Sequence, residues 1–303
     1  VNMKILITGI NGQLGRYLNK LVPFKINNHN IEIIAPSRTE LDLSNSNKCY
    51  EYILKVNPDW VINSAAFTNV DQAENSPELA YKVNTQAPLF FAKALLECNG
   101  KILQISTDYV FDGVAKQPYK SSHKKNPLGV YGDSKAKSED LIEDILFPSN
   151  QAKIMRTSWI LAPEKNNFAL KILKLCNEQE TLKIVADQIG SPSSVCNLAL
   201  ACWRVIEFHE KGISLPNILH WSDSGVASWF DVAMSIYEFG LSLGLIKGGN
   251  KIIPIKTNQY PTLAKRPAFS LLDCSETIQA LQLEPSYWRQ SLMEILKTHK
   301  YNS

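Results

Sequence analysis

The sequence predicts an α/β protein built around a doubly wound parallel sheet, and three observations lead to this prediction. In the first half of the 303-residue chain, short apolar runs alternate with helix-like stretches. These runs are apolar throughout rather than at every second residue, as expected for strands covered on both faces. A glycine-rich turn, "GINGQLG" at 9–15, separates the first run from the first helix-like stretch. The pattern is that of repeated strand–helix units.

The apolar runs and helical patterns give the elements of the first half in order. We predict strands over 4–9, 31–37, 59–66, 101–107 and 152–160, and helices beginning near 14 and over 46–58, 76–100 and 132–146. In the long helix at 76–100, Ser76 is the predicted cap, Pro77 suits the first turn and Gly100 ends the helix. Pro88 in its middle predicts a kink or a break.

The pattern changes after about residue 160, where helix-like segments are separated by loops rich in Pro, Gly and Ser. The amphipathic segment "YWRQSLMEILKTH" predicts a closing helix. We therefore expect a first domain over 1–160 and a smaller C-terminal lobe over 161–303, with room for some segments of the lobe to return to the first domain.

Charge and cysteine content argue against several classes of protein. The net charge is +3, and the Lys/Arg cluster that stands out is "HKK" at 123–125. We expect this cluster to be a solvated loop, and we therefore predict no nucleic-acid partner. No apolar run is long enough to span a membrane, and the first residues lack a signal-peptide pattern. The six cysteines show no metal-ligand spacing and fit reduced thiols in a cytoplasmic protein.

Glycines at positions 9, 12 and 15 predict a phosphate-binding turn. Without side chains the turn can approach a pyrophosphate, and the following helix N-terminus offers unpaired N–H groups, as in a Rossmann-type fold. The spacing here is G-x-x-G-x-x-G. At the end of the second strand, where the adenosine ribose is recognised, the chain has Ser37 and Arg38 and no carboxylate before Glu40. Because an Arg suits a 2′-phosphate, we predict NADPH, with NADH as the alternative.

Longer motifs then resemble one family almost from end to end. They are "GINGQLG" (9–15), "NPDWVINSAAFTNVDQAE" (57–74), "YKVNTQAP" (81–88), "ISTDYVFDG" (105–113), "NPLGVYGDSK" (126–135), "RTSW" (156–159), "ADQIGSPS" (186–193), "YPTLAKRPAFSLLDCS" (260–275) and "YWRQSL" (287–292). The chain resembles the extended short-chain dehydrogenase/reductases and, within them, the dTDP-4-dehydrorhamnose reductase family. The resemblance implies an NAD(P)-binding first domain, a smaller lobe for a sugar nucleotide, and reduction of a 4-keto group for cell-surface polysaccharide synthesis.

Reduction of a ketone needs a hydride on carbon and a proton on oxygen. Tyr131 and Lys135 are four residues apart, so they share one face of a helix. A nearby ammonium favours the phenolate, and we expect Lys135 to lower the pKa of Tyr131. The resemblance implies that Tyr131 gives the proton, that Lys135 tunes it and bonds the nicotinamide ribose, and that Thr107 bonds the same substrate oxygen.

The remaining site residues follow from the same resemblance. Asn84, in the long helix, is expected to bond the backbone near the site. The expected cofactor contacts are Gly9, Asn11, Gly12, Gln13, Leu14, Gly15, Ser37, Arg38, Asp42, Leu43, Ala65, Ala66 and Thr68, together with Tyr131 and Lys135. The expected substrate contacts are Thr107, Asp108, Val110, Phe111, Trp159, Gln188, Ser191, Lys265 and Arg266, with Trp159 ending its strand.

The chain also departs from the family pattern. Some members hold a magnesium ion at a dimer interface through an acidic residue two positions past the third glycine. Here that position is Tyr17, so we expect no metal and, if a homodimer forms, an interface without a metal bridge. Phe67 replaces a tyrosine, Leu161 and Ala162 replace Tyr-Gly, and Asn197 stands where an aspartate is common. These changes leave open which 4-keto sugar is used.

Two other functions remain open on the sequence. The regulatory subunit of methionine adenosyltransferase resembles the same family and binds NADP without needing turnover. An epimerase or dehydratase is disfavoured because the dehydratases carry Thr-Asp-Glu where this chain has Thr107-Asp108-Tyr109.

Overall fold

The computed structural model describes residues 2–302. Its strands, in chain order, are β1 (Asn2–Thr8), β2 (Lys25–Ile26), β3 (His29–Ile34), β4 (Trp60–Asn63), β5 (Lys101–Thr107), β6 (Ala152–Thr157), β7 (Ile160–Leu161), β8 (Thr181–Val185), β9 (Ile189–Gly190), β10 (Ser193–Ser194), β11 (Ile218–Trp221), β12 (Ala227–Ser228) and β13 (Lys251–Ile255).

The α-helices lie between these strands and close the chain. They are α1 (Gln13–Lys20), α2 (Ser46–Val56), α3 (Val70–Asn75), α4 (Pro77–Tyr81), α5 (Ala87–Cys98), α6 (Val130–Leu146), α7 (Phe168–Glu178), α8 (Val195–Glu210), α9 (Trp229–Ser242), α10 (Ser275–Leu281) and α11 (Trp288–Asn302). Within residues 2–302, every helix is too short or too polar to cross a bilayer.

The main sheet has seven strands in the order β11-β6-β5-β4-β1-β3-β2, and β2 alone runs antiparallel to its neighbour. Successive residues of β1 point to opposite layers: Ile5 and Ile7 join a core with α1 and α8, whereas Leu6 joins a core with α2, α5 and α6. Both faces are therefore covered by helices, which is why the strands are apolar throughout. The predicted doubly wound α/β fold is confirmed.

The strand order places a crevice at the carboxyl ends of β1 and β4. From β1 the chain passes to β3 on one side, and from β3 it crosses to β4 on the other side of β1. Loops leaving β1 and β4 therefore diverge, and open α/β sheets bind ligands at this switch point. The predicted glycine turn follows β1 directly.

The residues after 160 divide between two cores. Helices α7, α9 and α11 pack with β8 in a separate core, beside which β13 pairs with β8. In contrast, α8 packs on the main sheet and β11 pairs with β6 at its edge. The division at residue 160 stays a prediction, and the chain returns to the main sheet over α8 and β11.

The long predicted helix at 76–100 consists of three pieces. A π-helical segment, Lys82–Gln86, joins α4 to α5, and Pro88 lies in the first turn of α5. The predicted interruption is thus confirmed, and it lies just before the proline. Ser76 occupies the N-cap position of α4 as predicted, with Pro77 in the first turn, although its side chain makes no capping hydrogen bond. Asn99, in the left-handed conformation, ends α5 one residue before Gly100.

Candidate active site

A cleft of about 770 Å³, which we call the cofactor cleft, opens at the carboxyl ends of β1, β4, β5 and β6. It is lined by the glycine turn and by the residues that follow β4 and β5. Of the residues predicted from the sequence it brings together Gly9, Gly12, Gln13, Leu14, Gly15, Ala65, Ala66, Thr68, Thr107, Asp108, Tyr131, Lys135 and Trp159.

A second cavity of about 390 Å³ adjoins the cofactor cleft and shares Gly9, Gly12, Ala65 and Ala66 with it. Its other wall holds the remaining residues expected to contact the cofactor, which are Asn11, Ser37, Arg38, Asp42 and Leu43. Phe67, one of the departures from the family, lies in the same wall. The residues expected at a dinucleotide therefore line two continuous spaces.

The glycine turn is shaped for close approach of a ligand. A Cβ on Gly15 would lie 2.1 Å from the carbonyl oxygen of Gly9, and Gly9 itself has a φ of +69°. The backbone N–H of Gly12 donates to that same oxygen at 2.8 Å. Gln13 begins α1, and its buried Oε1 has no hydrogen-bond partner among residues 2–302. These features fit a phosphate group placed against the turn and the helix N-terminus.

The loop after β4 is fixed by hydrogen bonds from both sides. The backbone N–H of Ala65 donates to Thr8 Oγ1 at 3.1 Å. Asn84 Oδ1 accepts from the Phe67 backbone N–H at 2.8 Å, and its Nδ2 donates to the Phe67 carbonyl and to Ser134 Oγ, both at 3.1 Å. The expectation that Asn84 bonds the backbone near the site is confirmed, and the bond links this loop to α6.

Helix α6 brings Tyr131 and Lys135 to the cleft together. It begins at Val130, two residues before the predicted start, so Tyr131 lies in its first turn. The backbone N–H of Val130 donates to Glu74 Oε1 at 2.8 Å, which fixes the start of the helix. Lys135 is buried, and its Nζ donates to the carbonyl of Ile105 at 2.6 Å, beside the end of β5 where Thr107 lies.

Burial governs the protonation of this pair. It raises the pKa of Tyr131 to about 12, with the Thr107 hydroxyl opposing that rise, and it lowers the pKa of Lys135 to about 8. The expectation that Lys135 lowers the pKa of Tyr131 was therefore wrong. Desolvation of the phenolate dominates, and the ammonium of Lys135 is bonded to a backbone carbonyl instead. Tyr131 is a neutral phenol that can donate a proton.

Asp108 is a second proton-bearing group in the cleft. Its side chain is almost fully buried, and burial raises the pKa of its carboxyl to about 7. Thr107 Oγ1 donates to its Oδ1 at 3.1 Å. A carboxyl with this pKa is partly protonated at neutral pH and can either donate or accept a hydrogen bond.

A buried ion pair between Glu139 and Arg156 lies beneath the cleft residues of α6 and β5. Glu139 lies one helical turn after Lys135, and its carboxylate accepts from Arg156 Nη2 at 2.6 Å and from the Ser106 hydroxyl. Burial works to raise the pKa of Glu139, but Arg156 and Lys125 lower it overall. The expectation that "HKK" is a solvated loop was wrong for Lys125, which lies 3.4 Å from Glu139 and is 17% exposed.

A further cleft of about 810 Å³, which we call the outer cleft, adjoins the cofactor cleft. Phe168 and Trp229 line both of them. Gln188 and Arg266 lie in the outer cleft as expected, and Arg266 Nη2 donates to Asp71 Oδ2 at 2.7 Å. A phosphate bound here would share the Arg266 guanidinium with the Asp71 carboxylate.

The structure does not bring every expected substrate residue to these clefts. Val110 and Phe111 are fully buried in a small core, where Phe111 stacks on Tyr119 at 4.2 Å between ring centroids. Ser191 is buried and donates to the carbonyl of Asp223 at 2.7 Å. Exposed Lys265 lines a narrow pocket beside the start of α6.

Trp159 reaches the cofactor cleft by a different route from the one expected. Strand β6 ends at Thr157, and Trp159 lies in the following turn with a φ of +44°. The assignment of Trp159 to the strand end was wrong, because the left-handed turn directs the chain away from the sheet. Its ring lies against Trp229.

The sequence reasoning missed Trp229, Phe168 and Asp71. A capping box formed by Ser228 and Asp231 places Trp229 at the first position of α9, and this local signal could have been found. Asp71 meets Arg266 across 195 residues of chain, which leaves no local signal.

Of the remaining departures from the family, Leu161 lines the cofactor cleft, whereas the others lie in packing surroundings away from it. Leu161 and Ala162 are buried, and Asn197 Nδ2 donates to Asp223 Oδ1 at 3.0 Å. Tyr17 is partly buried beside the main core. Within residues 2–302 no three His, Cys, Asp or Glu side chains group as metal ligands would, and the metal-free state stays a prediction.

Comparison with known proteins agrees with this geometry. The family model described as "RmlD substrate binding domain" matches residues 3–301. A dTDP-4-dehydrorhamnose reductase of Aggregatibacter actinomycetemcomitans is 38% identical over 293 residues, covering 96% of this chain and 98% of that protein. The crystal structure of a dTDP-4-dehydrorhamnose reductase from Clostridium acetobutylicum aligns with a TM-score of 0.88 and 34% identity, over 98% of this chain and 100% of the other.

A second solved structure carries the cofactor. It is a dTDP-4-dehydrorhamnose reductase from Bacillus anthracis in complex with NADP, which aligns with a TM-score of 0.87 and 29% identity, over 98% of this chain and 100% of the other. The full-length agreement in sequence and fold extends through both the cofactor cleft and the outer cleft. The chain therefore belongs to the RmlD substrate binding domain family, that of the dTDP-4-dehydrorhamnose reductases.

Proposed function

We propose that the protein reduces the 4-keto group of a nucleotide-linked deoxy sugar with NADPH, converting dTDP-4-dehydrorhamnose to dTDP-rhamnose for cell-surface polysaccharide. The observation that carries this proposal is the shared cofactor cleft. In it the glycine turn lies opposite a protonated phenol, Tyr131, and a lysine, Lys135.

NADPH, when bound, supplies the hydride. The glycine turn and the N-terminus of α1 would hold its pyrophosphate, and the adjoining cavity would hold the adenosine. Arg38 is exposed in that cavity and forms no ion pair within residues 2–302, so it is free to meet a 2′-phosphate. Glu40 is less suited to accept from a ribose hydroxyl, because its Oε2 already accepts from the backbone N–H of Ser37 at 2.7 Å.

Tyr131 delivers the proton to the sugar oxygen. Its raised pKa keeps the phenol protonated before the reaction, and the phenolate that forms needs nearby positive charge and hydrogen-bond donors. Lys135 supplies the charge while it is protonated, and the Thr107 hydroxyl supplies a donor. Movement of Lys135 Nζ from the Ile105 carbonyl toward the cofactor ribose would place that charge at the reacting end.

The outer cleft is the proposed site of the substrate's nucleotide part. It contains Gln188 and Arg266 and continues into the cofactor cleft past Trp229. An Arg binds a diphosphate through two parallel hydrogen bonds, and Asp71 keeps Arg266 oriented until the phosphate arrives. Asp108 and Trp159 would contact the sugar itself, since both line the cofactor cleft.

Two finer expectations complete the proposal. The protein acts in the cytoplasm, where its six free cysteines would stay reduced. If a homodimer forms, its interface needs no metal bridge. Size-exclusion chromatography with light scattering, run with and without EDTA, tests the second expectation.

Oxidation of NADPH, followed by absorbance with dTDP-4-keto-6-deoxyhexose as substrate, tests the reaction. We expect turnover with NADPH and formation of dTDP-rhamnose. Tight NADPH binding without turnover of any nucleotide-linked keto sugar would refute the enzyme and favour a regulatory protein that binds NADP. A parallel assay with NADH tests the cofactor preference.

A further inference from the structure

Two tryptophans stack at the boundary between the cofactor cleft and the outer cleft. The ring centroids of Trp159 and Trp229 are 3.7 Å apart and their planes differ by 14°. Trp159 lies in the turn after β6 of the main sheet, and Trp229 is the first residue of α9 in the separate core. Trp159 lines the cofactor cleft, whereas Trp229 lines both clefts. The stack therefore joins the two parts of the molecule where the sugar must meet the cofactor.

The backbone of Trp159 is in a conformation that needs support. Its φ of +44° lies in the left-handed region, which a bulky residue other than glycine adopts only when its surroundings impose it. One support is the hydrogen bond from the Ser193 backbone N–H to its carbonyl, at 3.1 Å. Gly190 leaves room for the ring on one side, because a Cβ there would lie 2.9 Å from Trp159 Cζ2. The indole of Trp229 supports the ring by stacking.

Trp229 is itself held in place by contacts within the separate core. Ser228 caps α9, with its hydroxyl accepting from the Asp231 backbone N–H at 3.0 Å while Asp231 Oδ2 accepts from the Ser228 N–H at 2.7 Å. Phe168, at the start of α7, lies against Trp229 with ring centroids 4.6 Å apart. A residue fixed by a capping box and by a neighbouring ring can orient a partner whose own backbone is strained.

We propose that Trp229 is a positioning residue for the sugar: it holds the Trp159 indole in the orientation that receives the sugar ring beside the cofactor. The proposal rests on the proposed function, and it concerns the sugar nucleotide rather than NADPH. Trp229 acts through Trp159, so its effect disappears once the Trp159 indole has been removed.

The test compares kinetic constants and product binding for Trp229→Leu, Trp229→Phe, Trp159→Leu and the double variant. In Trp229→Leu we expect KM for the keto sugar nucleotide, and Kd for dTDP-rhamnose, to rise about two- to tenfold, the range that aromatic-pair energies give. Kd for NADPH should stay within about twofold, and Trp229→Phe, which keeps a ring, should restore most of the loss. The double variant should match Trp159→Leu alone, because the coupling runs through one contact.

Phe230→Leu is the matched control. Phe230 follows Trp229 in α9 and packs against the separate core, and it lines neither cleft. If Trp229→Leu and Phe230→Leu lower the thermal midpoint equally but only the former raises KM, the effect is positional. Additive effects of the two tryptophan substitutions, or an unchanged KM in Trp229→Leu, would overturn the proposal. Failure of the wild-type protein to turn over would instead count against the proposed function.

Discussion

Substitution of Tyr131 by Phe removes one hydroxyl and leaves the ring in place. The ring packs edge-on against Tyr109, with centroids 5.8 Å apart, and this contact does not depend on the hydroxyl. The fold and the cofactor cleft should therefore be unchanged in Tyr131→Phe, so a lower rate measures the loss of the hydroxyl from the chemical step.

The size of the loss follows from what remains in the cleft. A positioned general acid accelerates a reaction by about 10²–10⁴-fold, so we expect kcat to fall by at least about 100-fold. The Thr107 hydroxyl still reaches the same region, so some activity should survive. Tyr131 is also one of the expected cofactor contacts, and loss of one neutral hydrogen bond costs about 0.5–1.5 kcal/mol, so Kd for NADPH should rise less than about tenfold.

Single-turnover oxidation of NADPH measures the chemical step, and fluorescence titration measures cofactor affinity. Tyr52→Phe is a suitable control, because it makes the same chemical change on α2, outside the cofactor cleft. A kcat within tenfold of wild type would refute the assignment of Tyr131. Asp108 would then be the next candidate, and its raised pKa of about 7 predicts that the residual rate falls as pH rises through 7.

Three further predictions concern the cofactor. Because the pKa of Lys135 is lowered to about 8, its charge is present below that pH and lost above it. Kd for NADPH should therefore rise as pH passes 8, and Lys135→Met should remove this dependence of Kd on pH. In Gly15→Ala the new Cβ would lie 2.1 Å from the Gly9 carbonyl oxygen, so the substitution should weaken NADPH binding. It should also lower the free energy of unfolding in urea by about 1–3 kcal/mol. Gly12→Ala, where the same distance is 3.1 Å, should have a smaller effect. Arg38→Ala should remove a charge-assisted hydrogen bond of about 1.5–3 kcal/mol. Calorimetry should show Kd for NADPH at least about tenfold higher and Kd for NADH nearly unchanged. An equal rise in Kd for both cofactors would contradict the role of Arg38.

Local chemistry made the main sheet and the cofactor residues predictable. Fully apolar strands with helices between them leave few alternatives to a covered parallel sheet, and the glycine turn follows the first strand in both sequence and structure. Strand β5 has the predicted bounds, Lys101–Thr107. The residues expected at a dinucleotide line two adjoining spaces, because the switch point is fixed by strand order.

Contacts between distant segments could not be predicted in the same way. Arg266 looked like a free cation for a diphosphate, but it is paired with Asp71 from a helix 195 residues away. The pKa of Tyr131 depends on its burial in the folded chain, which raises it to about 12, and that burial is set by packing that the local sequence does not reveal. Val110 and Phe111 share a motif with Thr107, but after β5 ends a short 3₁₀ turn directs them into a core.

The π-helical segment Lys82–Gln86 shows how one sequence feature couples the two halves of the cofactor cleft. Pro88 has no N–H to give to the carbonyl four residues earlier, so the regular ladder cannot continue through this turn. Asn84, in the widened turn, bonds both backbone groups of Phe67 and the hydroxyl of Ser134. Thr85 Oγ1 donates to the Ser134 carbonyl at 2.7 Å, one residue before Lys135. The loop that lines the cofactor cleft and the helix that carries Tyr131 and Lys135 are thus positioned by the same irregular turn.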